Sequence, residues 1–379
     1  MYPRAGISGA DADMRTKKAD IVVVGAGIQG LLTARELARG GLSVMLIERN
    51  FPGREASRAS AGILSPLYPW RVPAPMQALA HWSQQYYPVL ADDLRRETGI
   101  DPEFINSGML IFGAEEQQVA QAWARYSARP LDILEGRQIT VCEPGLAGTQ
   151  MKSAVYLPTV AHVQSSRLLK ALTEHIYGLG VPILNEQPVT GLLERNGEIT
   201  GLRTPGGDIE AGRVVLATGA WSGELLESEG LAGYGVRPVR GQIIQFDGPP
   251  GLLTRILLDD GKYIVSRRNG HLVVGATIED VGFDDGVTDD ARDMLQEAAA
   301  RILPALGNLP VQRQWAGLRP GTDADCPLIG EHPEMRGLYL NTGHSRHGLT
   351  TAPASARLLA DLLLERSPIL DPGEYRVGR

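Results

Sequence analysis

From Ala19 onward the chain alternates between unbroken apolar runs and helical repeats. Residues 20–24, DIVVV, are apolar at consecutive positions after the aspartate, the pattern of a short strand buried on both faces. Past GAGIQG, the residues Ile28, Leu31, Leu32, Leu37 and Ala38 recur at helical spacing until Gly40-Gly41 ends the run. LSVMLIE at 42–48 is then a second buried strand, and VVLATGAW at 214–221 predicts another, ending in small residues. Asn196-Gly197 and Asn269-Gly270 each lie between strand-like runs and predict two-residue hairpin turns. Near the C-terminus, Gly343 to Gly348 precede a helix with Leu349, Ala352, Ala356, Leu359 and Leu363 on one face. Pro353 is tolerable in that helix only in its first turn, where no backbone hydrogen bond is lost.

Between the first strand and helix, Gly25, Gly27 and Gly30 stand in G-x-G-x-x-G register, and Glu48 ends the second strand 21 positions after Gly27. Each position has a physical task in binding a dinucleotide. Gly25 permits the tight turn, Gly27 lets a pyrophosphate approach the backbone, and Gly30 lets helix and strand pack closely. The helix N-terminus adds N–H groups and partial positive charge, and the Glu48 carboxylate can accept hydrogen bonds from a ribose. The stretch 66–102, with prolines at 66, 69, 73, 75, 88 and 102 among aromatic residues, predicts loops and a helix covering this unit. Mixed strands from about 226 to 315 predict a separate antiparallel sheet, after which the chain returns to the first unit at Ala316.

At 379 residues the chain has room for two such units. Its net charge of −7 disfavours nucleic acid and anionic membrane surfaces as partners. Cys142 and Cys326 form no C-x-x-C pair, so neither a disulfide framework nor a cysteine zinc site is expected, and a reducing cytoplasm fits. Residues 1–18 read as a flexible tail without a signal-peptide core, and no run of apolar residues is long enough to predict a membrane span.

These motifs resemble the FAD-dependent D-amino-acid oxidase superfamily, and within it the glycine oxidases of bacterial thiamine biosynthesis. The carriers are IVVVGAGIQG with Glu48, ASAGILSPLYPW at 59–70, VVLATGAWS at 214–222, PVRGQII at 238–244, YIVSRRNGHLVVGAT at 263–277, WAGLRPGT at 315–322 and GHSRHGL at 343–349. The resemblance covers nearly everything from 19 to 373. It implies an α/β fold, with a Rossmann-like, glutathione-reductase-like FAD-binding domain and an inserted antiparallel-sheet substrate domain. The FAD-binding domain would take 19–85, 150–225 and 316–373, and the substrate-binding domain 86–149 and 226–315.

By that resemblance FAD is bound without a covalent link. Its contacts would come from Gly25, Gly27, Ile28, Gly30, Glu48, Arg49, Ala61, Gly62, Ile63, Val189, Thr218, Gly219 and Trp221. The C-terminal loop would add Gly343, His344, Arg346, His347, Gly348, Leu349 and Thr350. Arg319 would grip the substrate carboxylate, Tyr263 would hydrogen-bond it, and Arg346 would lie near the amino-acid site. The competing readings are a structural salt bridge for Arg319 and a satisfied core tyrosine for Tyr263. Ser345 and His347 depart from the family's usual residues and bear on substrate size.

His344, His347 and His332 read as loop contacts rather than metal ligands, and no metal is expected. Cys326 does not match the place where some relatives tether FAD, Gly261 stands where some carry a histidine, and Arg267-Arg268 read as a solvated pair at a hairpin tip. The implied reaction is oxidative deamination of glycine, sarcosine or small D-amino acids, with dioxygen as acceptor. Two alternatives are a D-amino-acid dehydrogenase that passes electrons to a quinone and a flavin domain that modifies tRNA. Assembly as a homo-oligomer is expected by analogy.

Overall fold

The computed structural model describes residues 19–113, 116–149, 151–324 and 326–378, so the expected tail at 1–18 lies outside them. Its first layer is a six-stranded sheet in the order Leu328–Glu331, Leu338–Thr342, Val214–Leu216, Ile21–Val24, Val44–Ile47, Ile183–Leu184. All neighbours run parallel except the first pair. The continuous apolar run at 21–24 is explained by what covers each face. Ile21 and Val23 point to a core shared with the helices Ile28–Arg39, Ala74–Thr98, Ser165–Gly178 and Gly348–Leu363. Val22 and Val24 point the other way, to a core with Leu192, Leu202 and Ile209 of the three-stranded meander Gly191–Arg195, Glu198–Thr204, Gly207–Glu210. This is the expected α/β architecture with a nucleotide-type βαβ start.

The second layer is an eight-stranded sheet in the order Val311–Gly321, Arg237–Asp247, His271–Gly275, Lys262–Ser266, Ile256–Asp259, Met109–Phe112, Ser153–Leu157, Asp132–Glu135. It is antiparallel except where Ile256–Asp259 meets Met109–Phe112. Period-two alternation sorts its residues. Ile264 and Val274 pack with Leu295 and Ile302 of the helix Asp289–Ile302, while Tyr263, Val265 and Val273 face Ala61 and Ile63 across the interior. The sheet begins at Arg237, continues past Ala316 to Gly321, and takes in Ser153–Leu157, so its limits differ from those read in the sequence. The boundary placed at residue 85 falls inside the helix Ala74–Thr98.

Four local expectations are corrected. The strand at 214 stops at Leu216, and Gly219–Trp221 form a 3-10 turn. Asn196 and Gly197, with φ of 56° and 77°, make the expected two-residue turn. Asn269-Gly270 do not: Arg267 N–H pairs with His271 O at 2.8 Å, and Gly270 with φ 90° is the left-handed residue closing a three-residue loop. Arg267 is not solvated either. Its guanidinium turns inward to donate to Ala61 O at 2.6 Å and Val163 O at 2.8 Å, and burial lowers its pKa to about 10, while Arg268 stays exposed and pairs with Asp101.

Pro353 is the sixth residue of its helix, not in the first turn. A proline there leaves the carbonyl four residues earlier, that of Leu349, without its helical donor. The buried Tyr87 hydroxyl donates to that carbonyl at 2.5 Å, and Ser83 Oγ accepts the N–H of Ala354 at 3.0 Å. The long helix Ala74–Thr98 therefore supplies from its side chains what the proline removes.

Candidate active site

The glycine turn has the geometry its spacing implies. Gly25 sits at φ +96°, and a Cβ there would stand 2.6 Å from Ala217 O; a Cβ on Gly30 would stand 1.8 Å from Gly25 O. Gly27 caps the helix Ile28–Arg39 without any side-chain hydrogen bond, and no acidic residue occupies the first turn, so this positive end is directed into a cavity of about 600 Å³. Both Glu48 oxygens accept a backbone N–H, Oε2 from Ala26 at 2.7 Å and Oε1 from Asn50 at 2.9 Å. A carboxylate has further lone pairs, and Glu48 still lines the cavity. It thus ties the end of the second strand to the glycine turn and leaves acceptors facing the pocket. Arg49 lies 3.4 Å from the centre of the Trp221 ring and pairs with Glu55 at 2.8 Å.

Of the cofactor contacts expected from the sequence, most line this cavity: Gly25, Gly27, Ile28, Glu48, Arg49, Ala61, Gly62, Ile63, Val189, Thr218, Gly219, Trp221, His344, Arg346, His347, Gly348 and Leu349. Gly30, Gly343 and Thr350 stand behind it. Gly30 serves the helix–strand contact, Gly343 lies against Thr322, and Thr350 Oγ1 donates to Ile63 O at 3.2 Å. Sequence reading missed Ser57, whose Oγ accepts the N–H of Ile28 at 3.0 Å, and Gln29, whose Nε2 donates to Gly348 O at 2.9 Å and so joins the two helix starts that flank the cavity. Ser57 belongs to no spaced motif and Gln29 fills a variable position of the glycine motif, so nothing in the linear pattern distinguishes them.

His344 Nε2 contacts Asn341 Oδ1 at 2.9 Å and Nδ1 contacts Thr351 Oγ1 at 3.1 Å; burial, aided by His347, lowers its pKa to about 3. Burial, aided by Arg346, lowers that of His347 to about 4. Among the described residues no group of three or more His, Cys, Asp and Glu side chains is placed to hold a metal.

Arg319, Tyr263 and Arg346 come together in the same cavity, although they lie on two different strands and on the turn before the last helix. The Arg319 guanidinium donates through Nη1 to Thr277 O at 3.0 Å and Arg240 O at 3.3 Å, and it forms no ion pair with a carboxylate among the described residues. It lies flat on Gly241, where a Cβ would come within 2.0 Å of Nη2. Burial lowers its pKa and raises that of Tyr263. The Tyr263 ring is buried while its hydroxyl forms no hydrogen bond with another described residue. A desolvated cation, a tyrosine hydroxyl and the exposed Arg346 thus surround one end of the cavity, an arrangement complementary to a small carboxylate. Gly261 contributes no side chain, and its N–H donates to Tyr68 Oη at 3.0 Å.

These residues fit FAD. The turn admits a phosphate against bare backbone, the helix end, free of acidic side chains in its first turn, offers positive charge to it, and Glu48 offers acceptors to a ribose. Known proteins agree. Residues 20–362 match the family described as FAD dependent oxidoreductase. The chain is 46% identical over 356 residues to the glycine oxidase of Pseudomonas aeruginosa, covering 94% of this chain and 97% of the relative. It is 42% identical to the Pseudomonas putida glycine oxidase, again over 94% of this chain and 97% of the relative. Its structure superposes on the crystal structure of glycine oxidase from Geobacillus kaustophilus with a TM-score of 0.90 at 30% identity, covering 96% of this chain and 99% of that one. The match over almost all of the chain, together with a cavity that runs from the glycine turn to an end lined by Arg319, Tyr263 and Arg346, means that the chain belongs to the FAD-dependent oxidoreductase family and is an amino-acid oxidase of it.

Proposed function

We propose that the protein oxidises glycine, and with it sarcosine and small D-amino acids, to the 2-oxo acid, the amine or ammonia, and hydrogen peroxide. The observation that carries this reading is Arg319: a half-buried guanidinium with no carboxylate partner among the described residues, in the same cavity as the Tyr263 hydroxyl and the glycine-turn cradle. The substrate carboxylate accepts hydrogen bonds from Arg319 and Tyr263, and Arg346 adds positive charge at the exposed side. Holding the carboxylate fixes the position of Cα, and exclusion of water strengthens each of these contacts. Burial and the neighbouring Arg346 lower the pKa of His347, and no base role is assigned to it. FAD, which the glycine turn, Glu48 and the turn before the last helix would hold, would supply the two-electron redox chemistry, with dioxygen as the final acceptor.

We infer non-covalent attachment of FAD, which is supported by the cysteines: neither Cys142 nor Cys326 lines the cavity. Substrate binding is assigned to the eight-stranded sheet with the helix Asp289–Ile302, and FAD binding to the parallel layer. A place in thiamine biosynthesis is supported by a relative from Trichormus variabilis named bifunctional protein ThiO/ThiG, 33% identical, of which the chain spans about half, 54%. No helix among the described residues is long and apolar enough to cross a membrane. Cytoplasmic location and a homo-oligomeric state complete the proposal. The test is a panel of glycine, sarcosine and D-amino acids scored by peroxide release and oxygen uptake, with and without an artificial electron acceptor. Glycine-dependent peroxide supports the reading; turnover only with the acceptor would replace it by the dehydrogenase.

A further inference from the structure

Arg319 is held from behind by two carbonyls, those of Thr277 and Arg240. The regular ladder between Arg237–Asp247 and His271–Gly275 ends at Ile243 and Gly275. Beyond that point the two segments meet through a long bond from Thr277 N–H to Gln242 O at 3.3 Å and then through Glu279. Its backbone exchanges both hydrogen bonds with Arg240, Arg240 N–H to Glu279 O at 2.9 Å and Glu279 N–H to Arg240 O at 3.0 Å. The Arg240 carbonyl therefore accepts from Glu279 and from Arg319 together.

The Glu279 carboxylate gathers the side chains of the same patch. Oε2 accepts from Arg240 Nε at 3.0 Å and Nη2 at 2.6 Å, and Oε1 accepts from Gln242 Nε2 at 3.0 Å and from the Thr277 hydroxyl. Thr277 Oγ1 in turn accepts the Gln242 N–H at 2.8 Å. The Arg240 side chain is only 5% exposed, and of its two carboxylate partners Glu279 is 23% exposed and Asp284 62%, so Glu279 is the less exposed counter-ion. Burial opposes its charge, but the hydrogen bonds from Thr277, Arg240 and Gln242 prevail and hold its carboxyl below the usual carboxylate range.

We propose that Glu279 is a positioning residue for recognition of the substrate carboxylate: by locking Arg240 and Thr277 it fixes the two carbonyls that orient the Arg319 guanidinium. The inference rests on Arg319 being the carboxylate anchor. Neutralising Glu279 leaves the Arg240 guanidinium with only the exposed Asp284 as counter-ion and weakens the side-chain tie to Thr277, so Arg319 loses its fixed aim while the cofactor cradle, formed by other elements, is untouched.

The test uses the holoenzyme with glycine as substrate and acetate as a carboxylate that cannot be oxidised. In Glu279→Gln, KM for glycine and the calorimetric Kd for acetate are expected to rise together by about tenfold, the scale of a weakened hydrogen bond to a charged group, with kcat and FAD content little changed. Glu279→Asp, which keeps the charge, falls between that variant and wild type. Unchanged KM and acetate Kd in Glu279→Gln, with or without a loss of thermal stability, would overturn the proposal and leave Glu279 a structural ion-pair member. Should Glu279→Gln not accumulate as holoenzyme, Thr277→Val removes only the hydroxyl link and keeps the carbonyl; a rise in acetate Kd of about threefold supports positioning, and no change overturns it. Failure of wild type to bind acetate or oxidise glycine is a different result: it removes the reading of Arg319, and this inference with it.

Discussion

Glu48 shows how one side chain serves both structure and ligand. Its two oxygens accept the N–H groups of Ala26 and Asn50 while it lines the cavity, so the residue that would meet the ribose also fixes the turn beneath the phosphates. Glu48→Ala is expected to weaken FAD binding by roughly 1.5–3 kcal/mol, the scale of hydrogen bonds to a charged group, with the substrate ranking unchanged. Titration of apoprotein with FAD checks this; unchanged affinity with an altered substrate ranking would contradict the role. At this scale much of the site was legible, because Gly25, Gly27, Gly30 and Glu48 are spaced by one local βαβ unit. Arg319 and Tyr263 were legible only through resemblance, since their meeting depends on two strands that two others of the sheet join only in three dimensions. The unpaired state of the Arg319 guanidinium had no sequence signal at all.

Elements were read correctly where their signal is local, and misread where a distant partner decides. The apolar run at 21–24 and the helical repeat after it needed no tertiary information. Asn269-Gly270 has the same dipeptide as Asn196-Gly197 but a different loop, because Arg267 leaves the hairpin tip to bind the Ala61 and Val163 carbonyls. Pro353 is the plainest case: its place inside the helix is tolerated through Tyr87, 262 positions in sequence from the Leu349 carbonyl it satisfies. Tyr87→Phe is therefore expected to cost about 1–3 kcal/mol of stability, the penalty of a buried carbonyl left unpaired. Denaturant unfolding of the two proteins measures it, and a difference below about 0.5 kcal/mol would show that the Leu349 carbonyl finds another donor.

Across the whole molecule, buried neutral histidines link stability to pH. His162 and His344 have pKa values lowered to about 3, both chiefly by burial. In the unfolded chain each titrates near ~6.5, so the unfolded state binds more protons below that pH, and stability present above it is lost as pH falls toward the folded values. Each contributes a loss of roughly 2 kcal/mol at pH 5. Unfolding followed from pH 7.5 to pH 5 is expected to show falling stability, and a flat profile would contradict the neutral assignment. The molecule as a whole joins a parallel layer carrying the cofactor cradle to an antiparallel sheet carrying Tyr263 and Arg319, with one cavity between them. The central claim is that Arg319 anchors the substrate carboxylate there. The most direct measurement is rapid-mixing flavin reduction by glycine, at several concentrations, in wild type and in Arg319→Met. The expected result is a loss of about 3–5 kcal/mol, roughly two to four decades in the second-order rate constant, with FAD content unchanged. An Arg319→Met enzyme within about threefold of wild type, under 1 kcal/mol, would contradict the account and leave Arg346 as the carboxylate anchor.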